Sequence, residues 1–75
     1  MPRRYTSEDI GKIVRDSRKI LRLTQKNLAL TSGTGLRFVV ELERGKPTCR
    51  LGKVLTVLNT LGVGIELTPP QTPAG

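Results

Sequence analysis

Apolar and small residues recur at helical spacing near the start of the chain. They are Ile10, Val14, Ser17 and Leu21, with Ile13 and Ile20 widening the apolar arc. Thr6 or Ser7 can cap the helix, and Glu8 and Asp9 would occupy its first turn, where the helix dipole favours negative charge. The pattern predicts an amphipathic helix over about residues 7–22.

A second, shorter helix follows after Leu23, which breaks the first pattern. Thr24 offers an N-cap, and residues 25–32 place Leu28 and Ala29 on one face. Gly33 ends this helix, because glycine readily takes the left-handed conformation that follows many helices. The segment therefore predicts a two-turn helix that stops at a glycine.

A third helix is predicted over about residues 35–44. Thr34 can cap it, Val39 and Leu42 would face inward, and Gly45 would end it. Pro47 then enforces a turn. The third helix thus follows the second after a very short connection.

A fourth helix is predicted over about residues 49–61. Its core positions would be Leu51, Val54, Leu55, Leu58 and Leu61, with Val57 alongside. Gly62 would end it, and the alternation in Val63–Leu67 predicts a short strand. We expect residues 1–5 to form a basic arm and residues 68–75, with three prolines, to form a disordered tail.

Composition narrows the possible functions. The chain has 75 residues, with 13 Lys and Arg against 6 Asp and Glu, and a net charge of +7. Such a charge on one small domain should attract a polyanion. The sequence has no His and one Cys, which excludes an internal disulfide and a Cys/His zinc site. We expect no catalytic residues, no metal, no cofactor, no membrane segment and a cytoplasmic protein, nucleoid-associated when bound to DNA.

Two short helices joined by a glycine turn, within a basic helical bundle, suggest a helix-turn-helix. Its second helix would enter the DNA major groove and present its first residues to the bases. An RNA-binding role is disfavoured, because few aromatic residues are available to stack on bases. A membrane-surface helix is disfavoured, because the apolar face of the first helix is needed for the core.

Three runs of residues carry a resemblance to a known family. They are Thr24-Gln25-x-x-Leu28-Ala29-x-x-x-Gly33, then Val39-x-x-Leu42-Glu43-x-Gly45-Lys46, then Leu51-x-x-Val54-Leu55-x-x-Leu58-x-x-Leu61-Gly62. Over about residues 10–62 the chain resembles the phage-repressor-like (Xre) helix-turn-helix family. Segments 35–38, 41–48 and 61–67 look like those of HipB-type antitoxins. The resemblance implies an all-α, four-to-five-helix DNA-binding domain over residues 6–62, with a C-terminal strand over 63–67 that pairs across a homodimer.

Candidate DNA contacts fall into two groups. The residues expected to face the bases are Gly35, Leu36, Arg37, Phe38 and Glu41. Arg37 is the strongest of them, because a guanidinium can bind guanine O6 and N7 together; Phe38 could instead pack in the core. The residues expected at phosphates are Gln25, Thr34, Lys46, Thr48 and Arg50.

Arg18 and Glu43 form a further candidate pair. In the family that the chain resembles, the matched positions pair between the first helix and the end of the third, and a bidentate pair would fix the recognition helix. Arg18 could instead join Arg15 and Lys19 in attracting DNA. The expected dimer contacts are Val57, Val63, Ile65 and Leu67, although the fourth helix alone could also dimerise the chain.

The resemblance implies a bacterial repressor that binds an inverted-repeat operator and acts as the antitoxin of a type II toxin–antitoxin system. Its toxin would be a HipA-like kinase, and the pair would repress their own operon. Two alternatives remain. The chain could be a solitary phage-type regulator without a toxin, or an interaction module that mainly inhibits a partner enzyme.

Overall fold

A computed structural model describes residues 4–70, and within them the chain is all-helical. The four helices are α1 (Ser7–Ile20), α2 (Gln25–Ser32), α3 (Leu36–Glu43) and α4 (Leu51–Thr60). Each predicted helix is present, and the bounds of α2 are those predicted. Positions 1–3 of the predicted basic arm and 71–75 of the predicted tail lie outside the described residues.

The first helix is capped by Thr6 rather than Ser7. The Thr6 hydroxyl accepts from the Asp9 amide at 3.1 Å, and the Asp9 carboxylate accepts from the Thr6 amide at 2.9 Å. This reciprocal capping box satisfies two backbone donors at the helix start. The helix ends at Ile20, earlier than predicted, and Arg22 beyond it has a positive φ of 58°.

The turn between α2 and α3 is built on two glycines. Gly33 and Gly35 have φ values of 71° and 93°, which residues with a Cβ rarely adopt. Gly35 stands at the N-cap of α3 and supplies no side-chain cap. The prediction that Thr34 caps α3 is wrong: Thr34 is buried, and its hydroxyl lies 2.8 Å from that of Ser32.

The core is aliphatic and draws on all four helices. Its buried members are Val14, Leu28, Ala29, Val39, Leu42, Val57, Leu58 and Leu61. Helix α3 packs against both α1 and α2, and α2 also packs against α4. The recognition helix of the predicted motif is therefore held by two neighbours.

Three expectations for α4 are wrong. Val57 is fully buried in its own core, so it cannot be a dimer contact. Leu51 and Leu55, expected in the core, are exposed, Leu51 by 70%. At 100° per residue they lie to one side of the face shared by Val57, Leu58 and Leu61, which sets the direction of burial.

Helices α1 and α3 approach most closely at Gly11. A Cβ built on Gly11 would lie 2.5 Å from the Leu42 carbonyl oxygen and 2.9 Å from that of Glu43. Both distances are below any ordinary contact, so only glycine fits here without movement of the backbone. The sequence pattern gave Gly11 no role, because the contact joins residues more than thirty positions apart.

Beyond Gly62, the described residues have no regular secondary structure. Val63 packs against the core, and its amide donates to the Leu58 carbonyl at 2.9 Å. The predicted strand over 63–67 is not formed in the single chain. The side chains of Ile65 and Leu67 line an open apolar groove of about 290 Å³ with Ile10 and Ile13 of α1.

Candidate nucleic-acid interface

The first turn of α3 presents exposed residues to solvent. Gly35, Leu36 and Arg37 are exposed, and the side chain of Arg37 is 93% accessible. Phe38 differs: it is half-buried and packs against the core. The Lys53 ammonium lies 5.6 Å from the centre of its ring. The structure therefore favours the core role of Phe38 over base contact.

Glu41 lies half-buried on α3 between two cations. Arg37 Nε donates to Glu41 Oε1 at 2.9 Å, and Lys46 Nζ donates to Glu41 Oε2. The hydrogen bonds from Lys46 and Arg37 hold the pKa of Glu41 below its usual value. The carboxylate is therefore ionised at neutral pH. The i, i+4 spacing of Arg37 and Glu41 could have revealed their contact in the sequence, whereas Lys46 comes close only through the turn after α3.

Arg18 and Glu43 form the ion pair expected between α1 and α3. Arg18 Nε donates to Glu43 Oε2 at 2.7 Å and Arg18 Nη2 to Glu43 Oε1 at 3.0 Å, so the pair is bidentate. The two side chains are 12% and 5% exposed. The hydrogen bond to Glu43 raises the pKa of Arg18 above its ordinary value. Arg18 Nη1 also donates to the Leu23 carbonyl at 2.8 Å, which ties the pair to the loop before α2.

Gln25, the first residue of α2, extends the same network. Its amide nitrogen donates to Glu43 Oε1 at 3.3 Å. An amide nitrogen carries two hydrogens, so this contact leaves a second donor for a phosphate. Gln25 lines an open cleft of about 270 Å³, whose other residues are Arg15, Arg18, Lys19, Val40, Glu43 and Arg44. The sequence did not indicate that these four cations share one cleft.

The other candidates for phosphate contact differ in how far their side chains are exposed. Lys46, Thr48 and Arg50 are exposed around the turn that joins α3 to α4. Arg50 is the N-cap residue of α4. The structure contradicts a phosphate contact by the Thr34 side chain, because it is buried and its hydroxyl is paired with that of Ser32. Three of these four candidates therefore remain available to a ligand.

The described residues also bear on metal and membrane sites. Within residues 4–70, no group of three or more Cys, Asp or Glu side chains is placed to hold a metal ion. Cys49 is half-buried and packs against the core. None of the helices in this part of the chain has the length and apolar character required to cross a bilayer.

Comparison with known proteins identifies a relative that shows the family of this chain. No known family model matches it. The chain is similar to an uncharacterized HTH-type transcriptional regulator, y4mF, of Sinorhizobium fredii (strain NBRC 101917 / NGR234), at 54% identity over 65 residues. The match spans 87% of this chain and 86% of that relative, and so covers positions 18 to 43 with both helices of the motif. The four-helix fold agrees with such a regulator. The chain belongs to the HTH-type transcriptional regulators.

Proposed function

We propose that the chain is a sequence-specific repressor that inserts α3 into the DNA major groove. The observation that carries the proposal is the exposed first turn of α3, a helix whose last residue, Glu43, is held to α1 by a nearly buried ion pair. Exposed cations stand on the turn after it, and the cleft beside α2 adds three further cations, Arg15, Lys19 and Arg44. A fixed helix with basic surface beside it is the arrangement by which helix-turn-helix proteins bind a duplex.

Base and phosphate contacts would be made by different residues. Gly35, Leu36, Arg37 and Glu41 would face base edges, with Arg37 on a guanine. Gln25, Lys46, Thr48 and Arg50 would position the protein on the backbone. The packing of Phe38 against the core supports leaving it out of the first group. The base-facing set then has two residues with charged side chains, so backbone contacts and DNA shape would add to specificity.

A homodimer would place two such surfaces on an inverted repeat. Val63, Ile65 and Leu67 would form the dimer strand, and the exposed apolar side chains of Ile65 and Leu67 beside α1 support this assignment. The two copies of α3 would then lie about one DNA turn apart. Val57, being buried, has no part in this interface.

We further propose that the repressor is the antitoxin of a HipA-like kinase and represses their shared operon in the cytoplasm. The support is the resemblance of segments 35–38, 41–48 and 61–67 to HipB-type antitoxins. A neighbouring reading frame for a kinase whose product co-purifies with this chain is the expected finding. A chain with no such neighbour would instead be a solitary regulator. A chain that inhibits a partner enzyme but binds no operator would be an interaction module.

DNA binding is tested with a duplex from the region upstream of this reading frame. Fluorescence anisotropy should show tighter binding to that duplex than to a scrambled one of equal composition. If a dimer neutralises about eight phosphates, log K should fall with log salt at a slope of about −7. Equal affinity for both duplexes, or binding that does not depend on salt, would contradict the proposal.

A further inference from the structure

One carboxylate on the proposed recognition helix holds two cations that DNA would also attract. Glu41 accepts from Arg37 through Oε1 and from Lys46 through Oε2. Its side chain is 25% exposed and contacts Arg37, which stands in the exposed first turn of α3. Each oxygen holds a different cation, one on the helix and one on the turn after it.

We propose that Glu41 sets how strongly the protein discriminates its own site from other DNA. It would orient Arg37 for guanine and offset the attraction of Lys46 for phosphate. This inference rests on the proposed function, since it concerns how the same surface selects a duplex. It gives Glu41 a role that does not require contact with a base.

The contact with Arg37 suits an orienting role. Glu41 binds Arg37 at Nε, and the two terminal nitrogens of a guanidinium still carry four N–H donors. Guanine O6 and N7 need two of them. Arg37 can therefore keep its contact with Glu41 while it binds guanine. An otherwise exposed arginine side chain would then lose less rotamer freedom on binding.

The contact with Lys46 suits a discriminating role. Phosphate must compete with Glu41 for the Lys46 ammonium on any DNA sequence. The carboxylate also repels nearby phosphates, and like charges across an interface suppress binding to wrong partners. Only a duplex with a guanine opposite Arg37 offsets this cost. Glu41 should thus weaken binding to unrelated DNA more than binding to the specific site.

The test substitution is Glu41→Gln, which removes the charge and keeps the shape of the side chain. The probes are a duplex that the wild-type protein selects from a random-sequence pool and a scrambled duplex. Affinity for the scrambled duplex should rise roughly fivefold, and the ratio of specific to scrambled affinity should fall about tenfold. The salt slope on the scrambled duplex should steepen by about one.

Asp16→Asn is the matched control, because Asp16 is an exposed carboxylate paired with Lys12 on α1 and its loss changes the net charge equally. It should leave the affinity ratio unchanged. In a Lys46→Met background, Glu41→Gln should raise the affinity for scrambled DNA less than in the wild type. Where Glu41→Gln does not fold by circular dichroism, Glu41→Ala is scored in the same way.

The inference about Glu41 would be overturned if the ratio of specific to scrambled affinity did not change in the Glu41 variant, or changed equally in the Asp16 variant. Either result would leave the proposed DNA recognition intact. Failure of the wild-type protein to select any sequence would contradict the proposed function itself.

Discussion

At the scale of single residues, the Arg18–Glu43 pair does most to fix the position of α3. The Glu43 side chain is only 5% exposed, and it accepts from Arg18 twice and from Gln25 once. All three residues meet where α1, α2 and α3 converge. The loss of one partner leaves the other charge poorly solvated, which costs more than the pair itself contributes.

Glu43→Gln should lower the free energy of unfolding by about 2 kcal/mol, less than for a fully buried pair because Arg18 borders an open cleft. Urea denaturation followed by circular dichroism measures the change. Asp16→Asn, which breaks the exposed pair with Lys12, should leave the urea midpoint nearly unchanged. Equal shifts of the midpoint in both variants would show that burial of the Arg18–Glu43 pair has no structural importance.

Arg37 and Lys46 should respond differently to truncation. Arg37→Ala should cost about 1–3 kcal/mol on the specific site and relax the preference at one base pair. Lys46→Ala should weaken specific and scrambled DNA alike, because a phosphate contact carries no sequence information. Anisotropy titrations against single-base variants of the site distinguish the two effects. The same profile for both substitutions would refute the division between base and phosphate contacts.

At the scale of secondary-structure elements, the junction of α1 and α3 depends on the absence of a side chain at Gly11. Gly11→Ala should destabilise the protein by about 1–3 kcal/mol, because its Cβ would overlap the Leu42 and Glu43 carbonyls. Gly52→Ala is the control: Gly52 lies exposed in α4 with nothing within 4 Å of its Cβ position. It should stabilise the helix by about 0.5–1 kcal/mol.

Thermal unfolding of the two glycine variants gives the comparison directly. A Gly11→Ala variant as stable as the wild type would mean that α1 and α3 can separate at little cost. Opposite signs for the two substitutions would show that packing, rather than helix propensity, sets the requirement for glycine at position 11.

The sequence predicts best those helix ends that are determined by residues close by in the chain. Caps such as Thr24 and stops such as Gly33 act within one turn, so the bounds of α2 follow from neighbouring residues. The Arg18–Glu43 pair was expected from resemblance, since residues so far apart show no local pattern. The roles of Gly11 and Leu51 were missed for a related reason: each depends on where another helix packs, which periodicity alone does not determine.

At the scale of the whole molecule, one domain of this size presents a single copy of α3 to DNA. An inverted repeat requires two copies in a fixed relation, so the means of association decides the operator spacing. Two of the exposed apolar groups among residues 4–70 are candidates for this contact. One is the segment of Ile65 and Leu67 beside α1, and the other is the exposed pair Leu51 and Leu55 on α4.

The proposed strand pairing assigns the dimer to the first surface. Leu67 is 87% exposed and Ile65 49% exposed in the single chain, although both are large and apolar. An extended segment also offers backbone donors and acceptors that a second copy can pair. Pairing would cover the groove that Ile65 and Leu67 line with Ile10 and Ile13, and so bury apolar surface from both subunits.

The double substitution Ile65→Asp and Leu67→Asp should therefore convert the dimer to a monomer and weaken operator binding by about a hundredfold or more, since two linked half-sites are lost. Sedimentation equilibrium measures the dimer, and circular dichroism checks the helices. The matched variant, Leu51→Asp with Leu55→Asp, should remain dimeric, because those side chains do not line the groove that Ile65 and Leu67 form with α1. Dissociation of the second variant with a persistent dimer in the first would place the interface on α4 and refute the paired strand. Val63 is left unchanged in both variants because it packs against the core of its own chain.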